Sequence, residues 1–246
     1  MRPDRVRVPA SLMTLVFLVT CCAPARHGFD SRHGGDAPRL ASLRPLIVPR
    51  TAWHAADVTT KPLYDHSVKA IFVHHTDNPN DYDCKRDVPA MLQAMEDRHV
   101  HVLKWDDLGY NFVVDKCGTI YEGRAGGVDR DVRGAHTEGF NIDTVGVAAL
   151  GNFGPGQPLP RPMLEAIAAI AAWKLDQDVD PAGRVRLVSS NSESRFRKGT
   201  SVELNAISGH RDVYETDCPG DALYAALPWI RRTAAALRHE VTWAAG

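Results

Sequence analysis

Hydrophobic and polar positions along this chain switch between a strand period and a helix period. Val68-Lys69-Ala70-Ile71-Phe72-Val73 is a short β-branched apolar run and predicts a buried strand. It ends at His74-His75-Thr76, and Asn78-Pro79-Asn80 beyond it signals a loop. Val88, Met91, Leu92, Met95 and His99 then recur at helical steps, the apolar stripe of an amphipathic helix. Asp87 before the stripe and Pro89 in its first turn predict the helix start. Tyr110 to Val114 reads as a strand, Lys116-Cys117-Gly118 as a turn and Thr119 to Glu122 as the returning strand, together a hairpin. Thr144 to Leu150 predicts another buried strand, and Pro162 opens a helix running through Leu164, Ile167, Ala171 and Leu175. Gly183 to Ile207 carries short polar strands, with a hairpin expected around Lys198-Gly199. The last helix spans Asp221 to Leu237, and Pro228 inside it is expected to kink or break it. Strands and helices interleave along one unit, so the expected fold class is α/β: a single domain with a central mixed β-sheet flanked by helices.

Composition adds limits. Of 246 residues, 44% are apolar and 24% charged, ordinary for a globular chain long enough for one real core. The formal net charge of −1 gives no broad basic face, so nucleic-acid binding is not favoured. The body has no uncharged apolar run of about 18 residues, so no membrane span is expected. The first 25 residues read differently. Arg2, Arg5 and Arg7 precede the apolar run Val8 to Val19, and small residues follow, the order of a secretory leader. Ala23-Pro24-Ala25 fits a cleavage site before Arg26. Leu18-Val19-Thr20-Cys21 also resembles a lipobox, which would anchor the chain through a lipid on Cys21. Residues 26–44 lack any period and read as a flexible tether, leaving 45–240 as the working domain. The expected product is a secreted or extracytoplasmic monomer.

Gly209 to Gly220 holds the chemistry that stands out. His210 and Cys218 are good zinc ligands, one through a ring nitrogen and one as a thiolate. Two ligands do not close a site; a third would leave one position open for water. His74, at the end of a predicted strand, is the leading third ligand, and His136 in Gly134-Ala135-His136-Thr137 is its rival. His74 and His75 must point to opposite faces of a strand, so only one enters a given site. The body carries Cys84, Cys117 and Cys218. An exported chain tends to close an even pair, and Cys84 with Cys117 is the natural one, freeing Cys218 for metal. A disulfide that engages Cys218 is the competing pairing.

Phe72-Val73-His74-His75-Thr76 resembles the first zinc motif of the peptidoglycan recognition protein and N-acetylmuramoyl-L-alanine amidase family. Asp106 to Val114, Ile120-Tyr121-Glu122-Gly123-Arg124, Gly134 to Thr137, Val145-Gly146-Val147 with Gly151-Asn152-Phe153, and Gly209-His210-Arg211-Asp212 with Thr216 to Gly220 are similar to its other motifs, in the same order. Pro49 to Trp53 resembles its entry segment, so the likeness covers roughly residues 45–238. The resemblance implies that His74, His210 and Cys218 ligate zinc. It puts Tyr110 and Thr216 in catalytic positions, and His75, Tyr110, Asn111, Arg124 and His136 among the substrate-binding residues. It implies hydrolysis of the lactyl-amide bond joining muramic acid to L-alanine in peptidoglycan. Zinc would acidify a water for the attack, and Tyr110 would meet the developing oxyanion. The alternative is a non-catalytic peptidoglycan-binding module, whose members lack the metal-binding cysteine. Glu122 and His136 are the candidates, by residue type, for protonating the leaving amine. Three features depart from the family pattern: His54 follows Trp53 where Gly is usual, and two further differences lie downstream. Gly123-Arg124-Ala125-Gly126-Gly127 replaces Gly-Arg-Gly-Trp, and residues 183–205 form an unusually long stretch expected to edge the substrate groove.

Overall fold

The computed structural model describes residues 40–244, so the expected leader, Cys21 and most of the tether lie outside the described residues. The strands are β1 (Ile47–Val48), β2 (Ala70–His75), β3 (Phe112–Val114), β4 (Ile120–Glu122), β5 (Thr144–Ala149), β6 (Arg184–Val188), β7 (Ser201–Asn205) and β8 (Ile207–Gly209). The helices are α1 (Val88–Asp97), α2 (Arg161–Lys174) and α3 (Asp221–Ala244). Six strands pair in the order β1-β4-β3-β5-β2-β8, and β6 with β7 forms a separate two-stranded ribbon. Only β3 and β4, joined by the tight turn at Gly118, run antiparallel within the larger sheet. The mixed α/β architecture expected from the sequence is the one formed.

Side chains alternate across the sheet as a two-residue period requires. Ile71, Val73, Val145 and Val147 face α2 and α3, packing with Ile167, Ile170, Leu227 and Ile230. The opposite face has two separate covers. Toward one side, Val113, Tyr121 and Ala148 pack under α1 with Leu92 and Trp53. Toward the other, Ala70 and Phe72 pack with Phe140 and with Leu187 and Leu204 of the β6–β7 ribbon. His74 follows Phe72 on this face, and its parallel partner is Ala148. It therefore stands at the seam between the two covers.

Several local expectations are refined. β2 extends through both histidines, so the first ligand candidate sits inside the strand. α1 ends at Asp97, and a wider π-turn (Arg98–Val102) carries His99 inward. Asp87 makes no side-chain cap; its carboxylate accepts the Asp83 N–H at 2.8 Å instead. α3 passes Pro228 without a break and continues to Ala244. The missing N–H costs one helical bond, while Leu223, Leu227, Ile230 and Ala234 anchor the helix in the core. Leu43, in the stretch read as tether, packs against the same core. Cys84 and Cys117 are joined in a disulfide, and Cys218 is free and buried. No described helix is long and apolar enough to cross a membrane.

Candidate metal centre

His74, His210 and Cys218 come together from three places. β2 supplies His74, the short helical turn His210–Asp212 directly after β8 supplies His210, and the loop before α3 supplies Cys218. One donor atom from each lies within 4.8 Å of the others. Their juxtaposition follows from sheet topology, because β8 pairs with β2 in parallel, Val73 opposite Gly209. The strand therefore delivers His210 beside His74.

The loop is shaped to present the sulfur. Asp212 accepts the Gly209 N–H at 2.9 Å and the Tyr224 hydroxyl at 2.5 Å, so both carboxylate oxygens serve the loop rather than the His210 ring. The Arg211 backbone N–H donates to the Cys218 carbonyl at 3.0 Å, and its guanidinium pairs with Asp221 at 2.6 Å. Thr216 Oγ1 accepts the Cys218 N–H at 3.1 Å. Behind the sulfur, the His75 N–H donates to Sγ at 3.3 Å. These contacts aim Cys218 Sγ at His74 Nδ1, 3.7 Å away. A tetrahedral zinc with ordinary Zn–S and Zn–N bonds would separate its S and N donors by about 3.6 Å. The residues present fit the ion.

The ring of His74 is fixed by a relay. Its Nε2 lies 3.2 Å from Thr137 Oγ1 and 3.3 Å from His136 Nδ1, and those two atoms are 2.9 Å apart. Burial pushes His136 down to about 3, so it is neutral. With Nε2–H donating into this relay, His74 Nδ1 keeps a free lone pair on the side facing Cys218, as a metal ligand requires. His136 can approach because Gly146 and Gly134 have no Cβ; one at either position would run into its ring. His136 Nε2 is buried with no hydrogen-bond partner among the described residues. It is not within the donor cluster and supports His74 from behind.

Electrostatics match the donor set. Burial, then the neighbouring His210, His136 and His75, hold His74 well below the usual imidazole range. Burial brings His210 to about 4 and pushes the Cys218 thiol up to about 12. The imidazoles are thus free bases at neutral pH, and the thiol holds its proton until a cation displaces it.

The remaining site residues surround this centre. The Tyr110 ring centroid is 5.2 Å from that of His74, and burial with the nearby Cys218 keeps its phenol protonated far above neutrality. Tyr110 also lines a groove of about 330 Å³ with Thr76, Met91, Met95, Arg98 and His99. Arg124 is half-buried, its guanidinium donating to the Leu108 carbonyl at 3.1 Å. The Asn111 amide bridges Val132 O at 2.7 Å and Gly146 N at 2.9 Å, making it a strut between β3 and β5. His75 points away from His74 and is partly buried. Glu122 accepts the Arg50 N–H at 3.3 Å, tying β4 to the entry segment.

Sequence reasoning missed Thr137, Tyr214 and His99 as site residues. Tyr214 stacks on His210 with centroids 5.2 Å apart and planes at 20°. His99 was legible only as a member of the α1 stripe. Its Nδ1 accepts the Gly109 N–H at 3.0 Å, which leaves Nε2 as the protonated nitrogen of a ring whose centroid is 5.7 Å from that of Tyr110.

A mixed sheet carrying a two-histidine, one-cysteine cluster that could hold a metal ion defines the class: the peptidoglycan-recognition fold. Residues 64–221 match the family described as N-acetylmuramoyl-L-alanine amidase, and the chain belongs to that family. Human N-acetylmuramoyl-L-alanine amidase is 34% identical over 194 residues, covering 77% of this chain and 29% of that protein. This chain therefore spans less than a third of the human enzyme's length. Peptidoglycan-recognition protein 2 of Holotrichia diomphalia is 32% identical over 188 residues, 73% of this chain and 82% of that one. Among solved structures, bumblebee PGRP-SA superposes with a TM-score of 0.58 at 23% identity, over 75% of this chain and 94% of that one. A point mutant of Drosophila PGRP-LB, solved in complex with tracheal cytotoxin, superposes at 0.57 with 25% identity over 74% of this chain and 92% of that one.

Proposed function

We propose that this protein is a zinc-dependent amidase that hydrolyses the lactyl-amide bond between muramic acid and L-alanine in peptidoglycan. The observation carrying this reading is a free, buried Cys218 with its sulfur 3.7 Å from His74 Nδ1. A recognition module that only binds has no use for that thiol. Zinc held by His74, His210 and Cys218 would supply a Lewis acid that polarises the amide carbonyl and acidifies a water.

The chain's own residues do the rest. Tyr110, protonated and beside His74, donates its hydroxyl toward the negative charge that develops on the carbonyl oxygen. Thr216 acts mainly through Cys218, whose N–H it accepts. Thr137 and His136 hold the His74 tautomer. The groove of Tyr110, His99 and the α1 methionines takes the glycan-peptide, with Thr76 and Arg98 also lining it; Arg124 and His75 are further contacts proposed from the motif resemblance. The leader-like composition of the first 25 residues supports a location at the cell wall or the outer face of the membrane, secreted or anchored through Cys21.

The test is a digest of purified peptidoglycan read by mass spectrometry, with and without a chelator. Free stem peptides beginning with L-alanine, lost on chelation, are expected. New reducing sugar ends would refute an amidase. Retention on peptidoglycan with no release would leave a binding module. Cys218→Ser should lose both zinc and cleavage while keeping its fold.

A further inference from the structure

The β6–β7 ribbon and its connection, residues 189–200, are not used by the chemistry above. Residues 184–205 carry Arg184, Arg186, Arg195, Arg197 and Lys198 against Glu193 and Glu203. That is a local charge of +3 (five cations less two acids) in a chain of net −1. All five cations are exposed. Arg184 pairs with Glu203 at 2.7 Å and Arg195 with Glu215 at 3.3 Å. Arg186, Arg197 and Lys198 make no ion pair among the described residues. Like charges gathered on one ribbon repel one another, a cost the fold does not require.

The ribbon is fastened to both flanks of the metal centre. On one side, the Ser190 N–H and hydroxyl donate to Gly139 O at 2.8 and 3.1 Å, and Asn191 donates to Glu138 at 2.6 Å. This is the loop that carries His136 and Thr137. On the other side, the Arg195 N–H donates to Val213 O and its Nε to Tyr214 O, each at 2.9 Å. This is the loop that carries His210, Thr216 and Cys218. Between Arg195 and that loop opens a polar cleft of about 640 Å³, lined also by Arg211, Thr216, Tyr224 and the carboxylates of Asp212, Glu215 and Asp217, so the free cations of the arm lie outside it. A polymer with its amide at the metal centre and its chain running past Thr216 would meet the ribbon next.

We propose that the β6–β7 ribbon is a cationic arm that binds the free carboxylates of peptidoglycan stem peptides next to the one being cleaved. It rests on the peptidoglycan reading above. The arm acts on an extended, multivalent polymer and not on the scissile bond. Its contribution is therefore largest on insoluble, many-stemmed material and at low salt, where exposed charges are least screened.

The test uses the zinc-loaded full chain and the triple variant Arg186→Gln, Arg197→Gln, Lys198→Gln, with thermal melts to confirm equal folding. Binding to insoluble peptidoglycan is measured by sedimentation across a salt series, and cleavage is measured on a small soluble muramyl-peptide. The variant should bind the polymer about tenfold more weakly at low salt, with a flatter salt dependence, since each exposed charge contact is modest. Its kcat/KM on the small substrate should stay within about twofold. Wild-type protein should show the same loss on peptidoglycan whose carboxylates have been amidated. Unchanged polymer binding by the variant, equal loss on the small substrate, or indifference to amidation would each overturn the arm while leaving the amidase standing. Wild-type protein that neither binds nor cleaves peptidoglycan would instead overturn the underlying reading, and the arm with it.

Discussion

Gly146 is the residue on which the sheet and the candidate metal centre lean against each other. It lies opposite Phe72 in β2, and the His136 ring rests on its bare Cα. Gly146→Ala should push that ring off the relay and free His74 to rotate. Zinc affinity, measured by competition with a chromophoric chelator, should fall about 10- to 100-fold, the usual effect of losing a partner of a ligand. Far-ultraviolet circular dichroism should be unchanged. A second expectation concerns protons. Near pH 7 the Cys218 thiol, pushed up to about 12, is protonated, whereas His210 at about 4 and the lowered His74 carry no proton. Zinc binding to the metal-free protein should therefore release about one proton, read with an indicator dye. Release should grow below about pH 4, where His210 too must lose its proton to bind.

At the scale of elements, two devices hold the layers in place. Arg238 of α3 donates to the carbonyls of Ala172, Asp176 and Val179 at 2.7, 2.9 and 2.8 Å, and also to Leu175. One guanidinium thus meets the last-turn carbonyl of Ala172 in α2, which has no helical partner, and three carbonyls of the segment that follows the helix. Arg238→Met should cost about 2–4 kcal/mol and lower Tm by roughly 10 °C in a thermal melt. The Cys84–Cys117 disulfide ties the approach to α1 to the β3–β4 turn across 33 residues. Replacing both cysteines by serine should cost about 3–4 kcal/mol by chemical denaturation, most of it through a less restricted unfolded chain. The elements themselves were legible where one period dominates. β2, β5 and α2 declare themselves as apolar runs or stripes. The π-turn at Arg98–Val102 does not, because it keeps an apolar stripe going while changing which way His99 faces. Pro228 misled in the opposite direction, since a local breaker was outweighed by burial of Leu227 and Ile230 on either side.

For the whole molecule, the donor cluster of His74, His210 and Cys218 could be read from motifs because their spacing along the chain is stereotyped. What keeps His74 in place could not. Thr137 and His136 reach it only through the three-dimensional seam between the α1 and ribbon covers, and nothing local in either segment announces that meeting. The ribbon was readable as polar strands, but its seat over Phe72 and Phe140 was not. Stability also has a global electrostatic component on the far side of the sheet. Asp176 lies above the usual carboxylate range because of burial, then because of Asp131, Asp178 and Asp143. A raised carboxyl contributes its stability at low pH and loses it as pH rises through the folded value. Asp176→Asn should therefore raise Tm at pH 7 and give no gain near pH 3, provided the Val68 N–H keeps its acceptor. The parallel pairing of β8 with β2 sets an order of events during synthesis. β8 is the last strand made, and Cys218 follows it. Cys84 and Cys117 emerge much earlier, and the hairpin that brings Cys117 round is short-range. Among the cysteines of the described residues Cys218 is made last, so Cys84 and Cys117 can pair before its thiol has been added to the chain.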